Sequence, residues 1–191
     1  MKEDVKYSTL FAQLAASTNY DKTSQASQWL NTFIQTLETV GWTAANAEFS
    51  KVDNPTQYGT VDKAVLSLLK KTLTTPQLQL FDSAVQSFKE NHAAIHIFDG
   101  LSQSTYSDAA TFLTGVVNPT SDGNAAVTIS YYNYKTSAKI TTTFFNSLTG
   151  AQVSFNQGNQ KIILNRQIYD QLRDAIKEKL GANAESYMLD L

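Results

Sequence analysis

Two histidines four residues apart are the strongest candidates in the sequence for a metal-binding or catalytic pair. His92 and His96 stand near Glu90 and Asp99, and on a helix this spacing puts both imidazoles on one face, where they can bind one metal ion. The apolar alternation over 93–98 instead favours a strand, in which residues four apart are about 13 Å from each other. We therefore expect two ordinary histidines without a metal or cofactor, and a metal-dependent enzyme around them is a weaker alternative.

Other catalytic patterns are missing from the sequence. It contains no cysteine, no Gly-x-Ser-x-Gly elbow and no glycine-rich phosphate loop, which excludes a thiol nucleophile and the commonest serine and nucleotide sites. Carboxylates such as Asp170, Asp174 and Glu178 alternate with basic residues near the C-terminus, as on a solvated helix face. We predict no catalytic residues and a protein that is not an enzyme.

The low content of charged residues limits which partners the protein can bind. The 191 residues carry a net charge of -2, and only 17% are charged, against about 25% in an average globular chain. Nucleic acid is a poor partner for such a chain, because binding to phosphates needs clustered cations. The first residues do not resemble a secretory signal peptide. We expect a cytoplasmic protein, or one released without a classical signal peptide.

The first half of the chain has helical periodicity. Apolar residues recur every three or four positions, and Thr75 followed by Pro76 is typical of a helix start. Trp29 and Trp42 are predicted to anchor the core rather than to stack on a ligand. Helices are predicted at about 6–17, 24–40, 60–71 and 75–90, with an extended piece near 47–52.

Beyond Asn91 the apolar period changes to two, which indicates antiparallel strands joined by short turns. Strands are predicted at 93–98, 111–117, 126–134, 139–145 and 151–155, with another extended run at 162–164 after a turn at Gly158. A helix capped by Asn165 closes the chain. The sequence thus predicts a single α+β domain over 1–191, with a helical part at about 1–91, an antiparallel meander of about five strands at about 93–164 and a C-terminal helix at about 165–181.

The stretch 101–160 is unusually poor in charge. It contains four charged residues, and its predicted strands carry Thr, Ser, Asn, Tyr and Phe instead. If helices cover one face of the sheet, alternate residues remain on an outer face free to bind something else. The predicted binding surface consists of Thr128, Ser130, Tyr132, Tyr134, Thr141, Thr143 and Phe145.

Three functions are consistent with this pattern. We favour a non-catalytic interaction or self-association protein that binds another protein or itself, because sheet edges with few lysines or prolines invite strand addition. The alternative is a membrane-acting, pore-forming toxin-like protein, since 126–134 and 139–147 approach the about 9 to 11 residues of a membrane-spanning strand. The metal-dependent enzyme around His92 and His96 is the third.

Overall fold

The computed structural model describes residues 1–44, 48–181 and 184; for residues 48 and 49 it describes the backbone only. Within these residues the chain forms six α-helices and five strands of one antiparallel sheet. This confirms the predicted α+β class. The elements are α1 (Lys2–Asn19), α2 (Ala26–Thr39), β1 (Trp42–Ala44), β2 (Glu48–Lys51), α3 (Val61–Leu69), α4 (Thr75–Glu90), α5 (His92–Ser102), β3 (Ala109–Pro119), β4 (Ala125–Thr136), β5 (Val153–Leu164) and α6 (Arg166–Leu180), with a 3₁₀ turn at Pro55–Tyr58.

The long strands β3, β4 and β5 follow one another as a meander. The strand order is β1-β5-β4-β3, so β3 lies at one end of the sheet, and β2 also pairs with β5. Strand β1 pairs antiparallel with the end of β5, Trp42 opposite Leu164. No described helix has the length and apolar character needed to cross a bilayer.

The chain divides into two compact units. The first comprises the described parts of 1–48, 114–130 and 159–189, and the second comprises 49–113 and 131–158. The long strands change unit partway along their length, so neither unit is a continuous piece of chain. The single domain over 1–191 stays a prediction.

The first unit is built around two buried tryptophans. Both are 2% exposed, which confirms their prediction as core anchors. The indole of Trp29 donates to the Ser17 hydroxyl at 2.9 Å, and that of Trp42 donates to the Ser8 hydroxyl at 3.0 Å. Because each buried N–H has a partner, these rings add apolar area without an unpaired donor. After α2 the chain turns at Gly41, whose φ is +96° and where a Cβ atom would lie 3.1 Å from the Ile168 side chain.

The second unit contains α3, α4 and α5. Helix α3 buries its apolar stripe, including Val61, Val65 and Leu68. Helix α4 begins with Thr74 as N-cap in a capping box with Gln77, one residue before the predicted cap, and Pro76 lies in its first turn. No residue of α4 is fully buried.

The predicted strand at 93–98 is wrong, because these residues belong to α5. The Asn91 side chain caps this helix by accepting from the Ala94 amide at 3.0 Å. A helix started by this cap places Ala94, Phe98 and Ser102 four residues apart on one face, where Ala94 and Ser102 are buried, and this outweighs the short alternation that suggested a strand.

The predicted strand at 139–145 is also wrong, because the segment is irregular. Side chains satisfy its backbone amides: Asp99 accepts from the Thr143 amide at 2.7 Å, and Asp108 accepts from the Ile140 amide at 3.3 Å. These bonds replace a strand ladder. The predicted turn at Gly158 is wrong too, since β5 runs through it without a positive φ.

The remaining elements follow the predictions closely. Helices α1, α2 and α3, and strands β3 and β4, cover the predicted segments within a few residues at each end. Helix α6 begins after Asn165, whose side chain accepts from the Ile168 amide at 3.3 Å. The extended piece predicted near 47–52 corresponds to β2, although residue 47 lies outside the described residues.

Candidate functional site

The seven residues predicted to form a free surface differ widely in exposure. Thr141 is exposed, and Thr128 and Phe145 are half-buried. The other four, Ser130, Tyr132, Tyr134 and Thr143, are fully buried. These four side chains do not form an accessible surface in this structure, whereas a binding role for the first three stays a prediction.

The burial of these residues follows from the position of β4 in the sheet. Strand β4 lies between β5 and β3, and nine of its first ten residues are buried, so both of its faces are covered. On one side Ser130 donates to the Asn159 side chain at 2.7 Å. The expectation of one free sheet face is therefore wrong along this strand.

Tyr132 and Tyr134 belong to an aromatic cluster in the second unit. The Tyr132 ring stacks on Phe112 with centroids 5.1 Å apart, and the Tyr134 ring stacks on Phe155 at 5.9 Å. Contacts between neighbouring rings continue the cluster onto α4 and α5, with Phe88 and Phe98 5.4 Å apart. The aromatic cluster consists of Phe88, Phe98, Phe112, Tyr132, Tyr134, Phe144, Phe145 and Phe155.

The hydrogen bonds of the cluster stabilise the irregular segment after β4. The Tyr134 hydroxyl donates to the Thr143 carbonyl at 2.9 Å, beside the Asp99 carboxylate that accepts from the Thr143 amide. Burial, with a smaller contribution from the negative charge of Asp99, raises the pKa of Tyr134 above its ordinary value. The raised pKa favours the protonated phenol, which is the form that donates to the Thr143 carbonyl and so ties the irregular segment to β4.

The structure brings His92 and His96 onto one helix. Both lie on α5, four residues apart, and both are exposed. The strand argument against a shared metal ion therefore does not apply. However, no group of three or more His, Cys, Asp or Glu side chains suited to a metal is found in the part of the chain that is described. A metal-dependent activity around this pair stays a prediction.

The outer edge of β3 is a feature that the sequence patterns did not single out. On this side, Gln103 pairs with Ala110, and the Ser104 amide donates to the Ala109 carbonyl at 2.9 Å. For 111–119, no backbone hydrogen bond to the outer side is present among the described residues. Val117 on this edge is 38% exposed. The absence of charge from 109–119 is the sequence signal that could have indicated it.

The chain has few detectable similarities to known proteins. Neither a protein-family model nor a curated protein matches it. A solved structure titled delta-endotoxin is similar with a TM-score of 0.41 and 8% sequence identity, over 70% of this chain and 65% of that chain. With a likeness this distant, function has to be argued from the residues of this chain.

Proposed function

We propose that the protein is a non-catalytic interaction protein that associates with a second copy of itself through the outer edge of β3. The observation that carries the proposal is the position of β3 at the end of the sheet, with its outer side beyond Ala110 unpaired within the described residues. The contact lies at the edge of the sheet instead of on the face predicted from the sequence.

The residues of β3 suit strand addition. Soluble proteins commonly protect an edge strand with lysine, a bulge or an inward-pointing charge. This strand has 11 residues and no charged side chain, and its proline stands at the last position, Pro119. Gly115 and Val117 on its second half are exposed. A second strand can therefore approach without desolvating a charge.

A second copy is the partner that this edge fits best. When two β3 edges meet antiparallel around a two-fold axis, each strand offers the other the same uncharged row of amides and carbonyls. The long-range repulsion between copies is small at a net charge of -2. The two sheets then form one continuous sheet across the dimer.

A pair of matched lysine substitutions tests the proposal. Val117→Lys puts a charge on the edge strand, whereas Ile163→Lys puts the same charge on β5, between β1 and β4. The two side chains are similarly exposed, at 38% and 40%. Light scattering over a range of concentrations should show a dimer for the wild type and Ile163→Lys, and a monomer for Val117→Lys.

The proposal fails if the wild type stays monomeric at every concentration, or if both lysine variants dimerise equally. Circular dichroism of both variants controls for folding, since a lysine at an exposed strand position costs at most about 1 kcal/mol. The cytoplasmic or released location stays a prediction and does not change the expected result.

A second candidate function is action on membranes by a toxin-like protein. The observation that favours it is that β3, β4 and β5 have 11, 12 and 12 residues and contain only Lys135 and Lys161 as charged residues. These lengths reach the about 9 to 11 residues of a membrane-spanning strand. Helix α4, whose Phe88 belongs to the aromatic cluster, has no fully buried residue, so its displacement would expose little buried apolar surface beyond that ring.

Dye release from lipid vesicles tests this candidate. Vesicles of zwitterionic lipid and vesicles that also contain anionic lipid should both release dye, because the insertion would depend on apolar strands rather than on charge. If neither kind releases dye between neutral and mildly acidic pH, the membrane function is excluded while the proposed dimer is untouched.

A further inference from the structure

A polar pocket lies beside the loop that joins α5 to β3, in the second unit. Its volume is about 350 Å³, and its walls come from 103–109 together with Lys139 and Ile140. The buried side chains of Ala109 and Ile140 line its apolar part. Pockets that bind small molecules have volumes of about 300 to 1,000 Å³. The size suits a small ligand.

The wall of this pocket is held in place by the loop's own hydrogen bonds. The Ser104 amide donates to the Ala109 carbonyl at 2.9 Å, and the Ala109 amide donates to the Ser107 carbonyl at 2.8 Å. The Ser104 hydroxyl accepts from the Tyr106 amide and from the Ser107 hydroxyl, both at 3.2 Å. These bonds fix the backbone of the loop, which therefore loses little conformational entropy when a ligand binds, whereas the exposed Tyr106 ring becomes ordered only on the ligand.

Several groups in the pocket are left for a ligand. The Tyr106 side chain is 94% exposed, and neither its hydroxyl nor that of Thr105 has a hydrogen-bond partner among the described residues. The Asp108 carboxylate accepts one amide hydrogen bond, from Ile140, at 3.3 Å, which leaves its second oxygen for other donors. Lys139 makes no ion pair within the described residues.

We propose that this pocket binds a neutral carbohydrate. The C–H groups of one face of a sugar ring can lie on the negatively polarised face of the Tyr106 ring. Sugar hydroxyls both donate and accept, so they can donate to the Asp108 carboxylate and accept from Lys139 and Thr105. The charges of Asp108 and Lys139 offset each other, which favours an uncharged ligand over an acidic or basic one.

Saturation-transfer NMR with the full chain tests the proposal. The probes are glucose, galactose, mannose and N-acetylglucosamine, with the methyl glycoside of each to mimic a sugar linked to a lipid, protein or glycan. We expect at least one of these to bind in the millimolar range. Tyr106→Ala and Asp108→Asn should each weaken binding at least tenfold, whereas Tyr106→Phe, which retains the ring, should change it less than threefold.

Leu80→Ala is the matched control, since Leu80 is an exposed side chain on α4 outside the pocket and its loss should leave sugar binding unchanged. Tighter binding of the methyl glycoside assigns the pocket to linked glycans, and tighter binding of the free sugar assigns it to soluble saccharides. The proposal is overturned if no probe binds, if Tyr106→Ala binds as the wild type does, or if an acidic sugar such as sialic acid binds better than every neutral one.

Discussion

At the scale of single residues, Lys22 is a lysine held in an unfavourable environment. It lies between α1 and α2, and burial lowers its pKa from 10.5 to about 8, although the nearby negative charge of Asp21 acts in the opposite direction. A lysine in such a position destabilises the folded protein whenever it is protonated in the unfolded chain.

Replacing Lys22 should therefore stabilise the protein. Because the site is partly exposed, we expect Lys22→Met to raise the free energy of unfolding by about 1 to 2 kcal/mol at neutral pH. Between pH 8 and 10.5 the unfolded chain binds the extra proton, so wild-type stability should rise with pH toward that of the variant. Urea unfolding of both proteins across this range measures the difference, and a constant or widening gap would contradict the account.

The buried Asp4 carboxylate is expected to stabilise the folded protein in a pH-dependent way. It is 5% exposed and accepts from the Arg173 guanidinium at 2.7 Å. Burial by itself raises the pKa of Asp4, but hydrogen bonds from Arg173 and from the N-terminal amine of Met1, together with their two positive charges, more than offset this and hold the pKa below 3.8. Asp4 thus contributes stability above pH 3.8 that is lost as pH falls through its lowered pKa.

Removing this carboxylate should be costly. We expect Asp4→Asn to lower the free energy of unfolding by about 2 kcal/mol at neutral pH, because Arg173 loses its buried charged hydrogen-bond partner but keeps its ion pair with Asp170. Asp170, which also accepts from Arg173 but has a half-exposed side chain, is the matched control, and Asp170→Asn should cost less than about 1 kcal/mol. Equal costs in chemical denaturation would show that burial of the pair does not matter.

At the scale of elements, helix α4 should be the most easily opened of the longer helices. It has no fully buried residue, whereas α2 buries Trp29, Leu30, Phe33 and Leu37. Local opening is easiest where few apolar contacts are lost. In native-state hydrogen exchange, amides of 79–90 should exchange faster than those of 30–39. Similar protection of the two helices would contradict this.

The two strands predicted wrongly from the sequence, at 93–98 and 139–145, have identifiable physical causes. Short apolar runs are ambiguous between helix and strand, and at 93–98 the deciding signal was the Asn91 cap just before the run. At 139–145, residues that favour strands stay irregular because the distant side chains of Asp99 and Asp108 hold their amides. Bonds between residues 44 and 32 positions apart cannot be inferred from local periodicity.

At the scale of the whole molecule, the sequence predicted the fold class better than the candidate site. The spacing of apolar residues, every three to four in helices and every two in strands, is a local feature of the sequence. The order of N-terminal helices, antiparallel strands and closing helix could therefore be predicted from it. Which strand lies at the end of a sheet depends on long-range pairing, so the absence of charge from 109–119 indicates a strand suited to an edge contact but does not by itself place β3 at the end of the sheet. Residues 101–160 carry few charges in part because both faces of β4 are buried. Strands covered on both faces rarely contain charged side chains.

Hydrogen exchange on β3 as a function of protein concentration shows directly whether two copies associate through this edge. If two copies join through this edge, alternate amides of 111–118, those that face away from β4, should become protected as concentration rises, while the amides of β5 should not change. The β3 amides should stay unprotected in Val117→Lys at every concentration. Dimerisation without any change at β3, or a wild type whose β3 exchange is independent of concentration, would contradict the account.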